Sequence, residues 1–304
     1  MPKSRESLGL LLGLVAVLLF GGSLPATRIA VLDLDPWFVT AGRALVAGLV
    51  GLVIVVISRP VFPRACLGRL VAVAACLVIG FPAALALAVV TVPASHGGVI
   101  LALLPIATTL GAVVFAGERP SLSFWLLTLI GAGLVAAFAL REGDIAIVVG
   151  DIFLVAGVLV CGSGYAIAAT LSRILPGWQV ITWAVVLSLP AALPATLVLW
   201  PADAAAVPAA AWAGVAYGGV VSQFVAYAIW NAALAWGGVA RIGQLQLLQP
   251  FVTFLIAAPL LGERIDAATV AFAAAVAVVV ALGRRAAVSR RGEAPTASAG
   301  SPAP

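Results

Sequence analysis

Polar side chains are scarce in this sequence, so the few that fall within long apolar runs carry most of its chemistry. Gln223, Tyr227, Trp230 and Asn231 stand at i, i+4, i+7 and i+8, a spacing that puts two amides and two amphipathic rings on one helical face. An amide facing lipid in mid-membrane is costly, so this stripe is expected to face protein or a water-filled cavity. Two roles fit: lining a chamber for a small amphipathic molecule, or bonding to a neighbouring helix. Gln246, Gln249 and Thr253 repeat the theme at i, i+3 and i+7, with Pro250 freeing backbone carbonyls beside them. Thr108 stands next to Pro105 at the spacing that Thr253 keeps from Pro250. The two prolines read either as paired hinges close to a midplane site or as ordinary kinks. Ser23 with Thr27, and Ser163 with Thr170, each share a face, and either line the chamber or pack helices together.

Two further groups could carry charge. Arg43 is the one basic residue well inside an apolar run. It reads as a counter-charge for a carboxylate or phosphate on a substrate, or as an arginine reaching the interface and paired with Asp33 or Asp35. His96 is the sole histidine, a candidate for proton coupling or a solvated residue at a helix end. No aspartate or glutamate falls well inside a run, so a carboxylate relay at the midplane is not expected. Proton drive would then need His96 or an interfacial acid such as Glu118. Cys66, Cys76 and Cys161 make no metal-ligand spacing and read as small apolar residues. Lys3 is the one lysine, so there is no phosphate-binding loop of the ATPase kind. No cofactor and no metal are expected.

The elements that hold these residues follow from composition. With 64% hydrophobic and 9% charged residues and a mean hydropathy of +1.23, the chain belongs in a lipid bilayer, since soluble domains carry near a quarter charged residues. The net charge of +5 is scattered between apolar runs rather than clustered, which excludes nucleic acid as a partner. Apolar runs of roughly 18–24 residues, enough to cross about 30 Å of hydrocarbon, fall near 8–30, 36–57, 69–91, 96–116, 122–140, 150–172, 178–200, 210–234, 241–261 and 267–283. The expected fold is therefore an all-α polytopic membrane protein with ten transmembrane helices.

The chain also states one pattern twice. A shift of 145 places lays Pro105 on Pro250, Thr108 on Thr253, and Gly117-Glu118-Arg119 on Gly262-Glu263-Arg264. It also lays Phe20 on Tyr165 and Arg28 on Arg173, which marks the first run as structure rather than a cleaved signal. Residues 1–145 and 146–284 are expected to be two five-helix copies, with 285–304 a disordered, Pro-rich tail. Arginines and lysines collect on one side if the N-terminus is cytoplasmic, which puts both termini there. Five is odd, so the second copy is expected to enter the membrane inverted, as the halves of secondary transporters do.

These features resemble the drug/metabolite transporter superfamily, in particular its EamA-type ten-helix members. The likeness rests on the paired helix ends Pro105–Arg119 and Pro250–Arg264, the "GGSLPATRIA" break at Gly21–Ala30, Arg43, and the "GD…Y…LSR" opening at Gly150–Arg173. It spans the chain to about Arg284 and implies export of small metabolites or drugs from the cytoplasm across a bacterial inner membrane. On that footing the expected function is a secondary transporter exporting a small amphipathic metabolite, with amino acids foremost, by alternating access. A multidrug exporter of the same fold is the nearest alternative. A scaffold has no need of an opposed duplication, and a lipid-acting membrane enzyme lacks convergent acids, bases or metal ligands here.

Overall fold

The computed structural model describes residues 3–92, 100–101, 103–141, 149–261, 267–283, 286 and 288–290. Almost all of them are helical. Each apolar run of the sequence is a candidate crossing, and the first holds α1 (Lys3–Gly21) continued by α2 (Ser23–Val31). The second is α3 (Pro36–Ser58). Asp35 starts α3 by accepting from the backbone N–H groups of Trp37 and Phe38 at 2.8 and 3.1 Å, and Pro36 occupies the first turn, where no donor is needed.

The third crossing joins α4 (Leu67–Val73) and α5 (Phe81–Thr91) through a π-helical stretch, Ala74–Gly80. Then come α6 (Leu104–Ala116), α7 (Leu122–Arg141), α8 (Val149–Leu171) and α9 (Gly177–Val198). The eighth crossing repeats the design of the third, with α10 (Ala209–Ala216), a π stretch over Tyr217–Ala226, and α11 (Tyr227–Gly237). The ninth runs α12 (Val239–Gly243), a 3-10 stretch Gln244–Leu248, and α13 (Gln249–Leu261); α14 (Ala267–Gly283) follows. Seven spans among the described residues are long and apolar enough to cross a membrane, and Leu104–Ala116, Leu122–Phe138 and Ala267–Gly283 are shorter apolar helices. Each of the ten apolar runs contains a helix.

Under the 145-residue shift the helix contacts either repeat, as α5 on α8 does in α11 on α1, or join the two counterpart runs, as α3 on α9, α6 on α12 and α7 on α14 do. Within these pairs the chains run antiparallel. Gly48 faces Leu189 while Gly51 faces Val185, and Thr108 meets Gln246 while Glu118 meets Val239. One tight crossing is α6 on α8, where a β-carbon on Gly162 would lie 2.5 Å from the carbonyl carbon of Ala107. Only a hydrogen at that position lets the two backbones touch, the usual way membrane helices gain packing contact. Outward-facing positions are large and apolar, among them Leu11, Leu18, Val56, Ile57, Leu197 and Val198, a surface suited to lipid rather than water.

Two short strands, β1 (Glu118–Pro120) and β2 (Val288–Arg290), pair antiparallel, with Glu118 opposite Arg290. This departs from the expectation of disorder from residue 285 onward. The backbone edge left after α6 ends at Gly117, in a left-handed conformation (φ 66°), offers ladder hydrogen bonds that the composition of the tail does not reveal.

Candidate functional site

The π stretches of the third and eighth crossings occupy equivalent places in the two halves, and they meet. Gln223 stands 145 residues after Val78, and its Nε2 donates to the Val78 carbonyl at 3.0 Å. A π turn widens the helix and breaks the regular carbonyl pattern, which is why such turns recur at functional sites. Here a side chain from one half is held by the backbone of its counterpart in the other, so the contact lies on the seam between them.

Arg43 of α3 joins this contact. Its Nε donates to Gln223 Oε1 at 2.8 Å, while Nη1 and Nη2 reach Thr27 Oγ1 and Ser222 Oγ at 3.5 Å each. Ser222 Oγ donates onward to Ser23 Oγ at 3.0 Å, and Thr27 Oγ1 donates to the Ser23 carbonyl at 2.8 Å. Arg43 is 3% exposed and Gln223 is fully buried, so the guanidinium is not at an interface. Asp35 caps its own helix instead of pairing with it. The reading of Arg43 as an arginine paired with Asp33 or Asp35 is therefore corrected: the helix start needed Asp35, and among the described residues the guanidinium bonds Gln223, Thr27 and Ser222 inside the bundle instead of either acid.

The rest of the eighth-crossing stripe is also inside. Tyr227, Trp230 and Asn231 are buried, with Phe20 and Tyr165 against them: ring centroids lie 5.1 Å apart for Phe20 and Tyr227, and 5.5 Å for Tyr165 and Trp230. Phe20 and Tyr165 are themselves equivalents under the 145-residue shift. Both polar atoms of the Asn231 amide and Trp230 Nε1 are buried with no protein partner. Such groups are costly unless something polar reaches them.

The ninth crossing contributes a second, separate set. Thr108 Oγ1 donates to Gln246 Oε1 at 3.4 Å, leaving Gln246 Nε2 buried and unpartnered. Thr253 Oγ1 donates to the Gly21 carbonyl at 2.8 Å, beside the joint between α1 and α2. Gln249 is half-buried on the same helix. Pro105 and Pro250 each sit in the first turn of a helical segment, α6 and α13, where a missing N–H leaves no gap. Ser163 donates to its own Leu159 carbonyl at 2.9 Å and Thr170 to Ile167, so neither hydroxyl joins the Arg43 group. His96 lies outside the described residues.

At the end of the bundle that carries the N-terminus, Glu118 is 1% exposed. Its two oxygens accept the backbone N–H groups of Val239 and Ala240, both at 2.9 Å, capping the start of α12. Arg173 stands 3.9 Å from Glu118, and Arg241 pairs with Glu6 at 3.1 Å. The carboxylate singled out as a possible proton carrier thus serves as a helix cap. Ser222, the Val78 carbonyl and this cap are absent from the sequence reading. Ser222 adjoins Gln223 and follows the Gly218-Gly219 pair, but no sequence signal marks a π turn or says where Glu118 points.

A bundle of apolar helices with a polar knot buried on the seam of a duplication is the architecture of a multi-pass membrane transporter. The EamA-like transporter family matches the chain twice, over residues 7–139 and 148–283. The chain belongs to that family, within the drug/metabolite transporter superfamily. A protein of Bacillus subtilis (strain 168) named as uncharacterized transporter YdeK is 44% identical over 283 residues, 93% of this chain and 99% of its own. A crystal structure of a protein 19% identical shares the fold, with a TM-score of 0.71 over 92% of this chain and 99% of that one.

Proposed function

We propose that this transporter exports a small amphipathic metabolite, with amino acids the first class to test, by alternating access. Its two halves would each cross the membrane five times in opposite directions, with both chain ends in the cytoplasm of a bacterial cell. Antiparallel packing of equivalent helices supports the inversion, and the double family match supports the duplication. Positive-side bias in the loops supports the orientation. The observation that carries the reading is the Gln223–Val78 contact on the seam, joined by Arg43. A polar group is tolerated at such depth when it faces the protein interior, and intramembrane ionisable residues mark transport pathways. The aromatic group around Trp230 supplies apolar faces for a substrate body, and Asn231 supplies an amide.

Reconstitution in liposomes with counterflow of radiolabelled amino acids tests this. Saturable counterflow is expected, reduced by Gln223→Ala and by Trp230→Ala. Unchanged rates in both variants would remove the assigned site. Comparison of metabolites secreted by cells with and without the gene reads the direction, and accumulation inside the deletion strain is the expected result.

A further inference from the structure

The arrangement around Arg43 says what kind of group the transported molecule carries. A guanidinium has five N–H donors and a fixed positive charge. Buried in a low-dielectric interior, it normally faces a carboxylate or phosphate, because an uncompensated charge there is unfavourable. Among the described residues the hydrogen bonds of Arg43 all go to neutral acceptors, one amide oxygen and two hydroxyls, and the Tyr227 phenol is the titratable group close enough to feel its charge.

The three bonds are not equal. The Nε edge is held by Gln223 at 2.8 Å, and Gln223 is itself anchored to Val78 at 3.0 Å. The two terminal nitrogens reach their hydroxyls at 3.5 Å, beyond the usual range for an N–H···O bond. One edge of the fork is fixed, and the other, whose geometry matches the two oxygens of a carboxylate, is weakly held. Gly218 lies against the Nε side of the guanidinium, where an added β-carbon would stand 3.3 Å from Nε, so the closest approach from this glycine is to the fixed edge and not to the terminal nitrogens.

The other half does without this arginine. Under the 145-residue shift Arg43 falls on Ser188, Gln223 on Val78, Ser222 on Leu77, Ser23 on Ala168 and Thr27 on Ser172, whose hydroxyl turns back on the Ala168 carbonyl. The same packing positions in the other half are thus filled by small or apolar residues, and Ser188 bonds its own helix at Val185. A polar group present in one copy and absent from the other serves something besides packing.

We propose that the terminal nitrogens of Arg43 form the anion subsite of this transporter, taking the carboxylate of its cargo while Gln223 holds the guanidinium in place. Thr27 and Ser222 release the fork when the anion arrives. The proposal rests on the transport reading for its cargo but not for its chemistry, and the two can fail separately.

The test uses purified full-length protein and matched probes: a panel of amino acids and aliphatic and aromatic carboxylic acids, each set beside its uncharged carboxamide. Ligand-induced shifts in Tm rank apparent affinities, since a ligand that binds the folded state stabilises it by RT times the logarithm of one plus the ratio of its concentration to Kd. Wild type is expected to prefer at least one carboxylate over its amide by about 10–100-fold, the range of a charge-assisted bidentate contact. Arg43→Gln should erase that preference and Arg43→Lys retain part of it, with both variants eluting as monodisperse protein. Should Arg43→Gln unfold, Arg43→Lys and competition by the amide carry the comparison. No carboxylate preference in wild type, or a preference undiminished in Arg43→Gln, overturns the subsite. Preference without counterflow in liposomes leaves the subsite and removes transport; counterflow without preference does the reverse.

Discussion

Replacing Glu118 by alanine is expected to loosen the end of the bundle that carries the N-terminus. Two oxygens of one buried carboxylate each accept an N–H at 2.9 Å from the first turn of α12, where a helix has no acceptor of its own to offer. A hydrogen bond to a charged group contributes about 1.5–3 kcal/mol, and the helix N-terminus adds about 0.3–1 kcal/mol for an anion. Opening to water returns much of this, because water solvates the carboxylate and both donors. Arg173 at 3.9 Å is one-third exposed, so screening leaves it little to add. A net of about 2–3 kcal/mol remains, a shift of about 30–150-fold in the ratio of closed to open ends. The assay is the rate at which N-ethylmaleimide modifies Ala240→Cys, a position with no exposed surface, in a background lacking Cys66, Cys76 and Cys161. Alanine at 118 should raise that rate by at least about tenfold, with glutamine between, since its amide offers one acceptor in place of two. A rate unchanged within about twofold, in protein that remains folded, refutes the idea that this cap holds the end shut.

Three further outcomes follow from what surrounds single residues. Gly162→Ala would drive a β-carbon to within 2.5–2.7 Å of the backbone of Ala107 and Thr108, which cannot turn aside, so a loss of about 1–3 kcal/mol is expected. Gly133→Ala, with nothing within 4 Å, should gain about 0.5–1 kcal/mol from helix propensity; Tm values in the reverse order would refute the packing of α6 on α8. Gln223→Glu sets a carboxylate where an amide oxygen now lies 2.8 Å from Arg43 Nε. It should answer the guanidinium internally and weaken carboxylate binding by about tenfold or more; undiminished binding in the same Tm assay would show that the fork does not face cargo.

Much of the fold is legible in the sequence because membrane helices announce themselves by length and apolarity. The run placed at 36–57 is α3, Pro36–Ser58, and the one at 150–172 is α8, Val149–Leu171. The stripe from Gln223 to Asn231 was readable as inward-facing because an amide has few places to go in hydrocarbon, and all four side chains are buried. Other features were hidden because they depend on partners far along the chain. No local pattern predicts that Gln223 meets Val78, or that Glu118 caps a helix more than a hundred residues away. Hydroxyls mislead for the opposite reason. Ser163 and Ser23 look alike in sequence, yet the first bonds its own helix and the second joins a network, a choice made by which neighbour the helix face meets.

The exchange of Arg43 for Ser188 between equivalent positions has a consequence for the ancestry and handedness of the device. Duplication by itself yields two halves of like chemistry, either of which could stand in for the other. Chemistry written into one half alone gives the molecule a front and a back. An arginine moved to position 188 would find Val78, Leu77 and Ala168 at the equivalent places, and none of those side chains could hold it. The chemical difference between the two halves therefore resides in a handful of side chains carried on a shared scaffold.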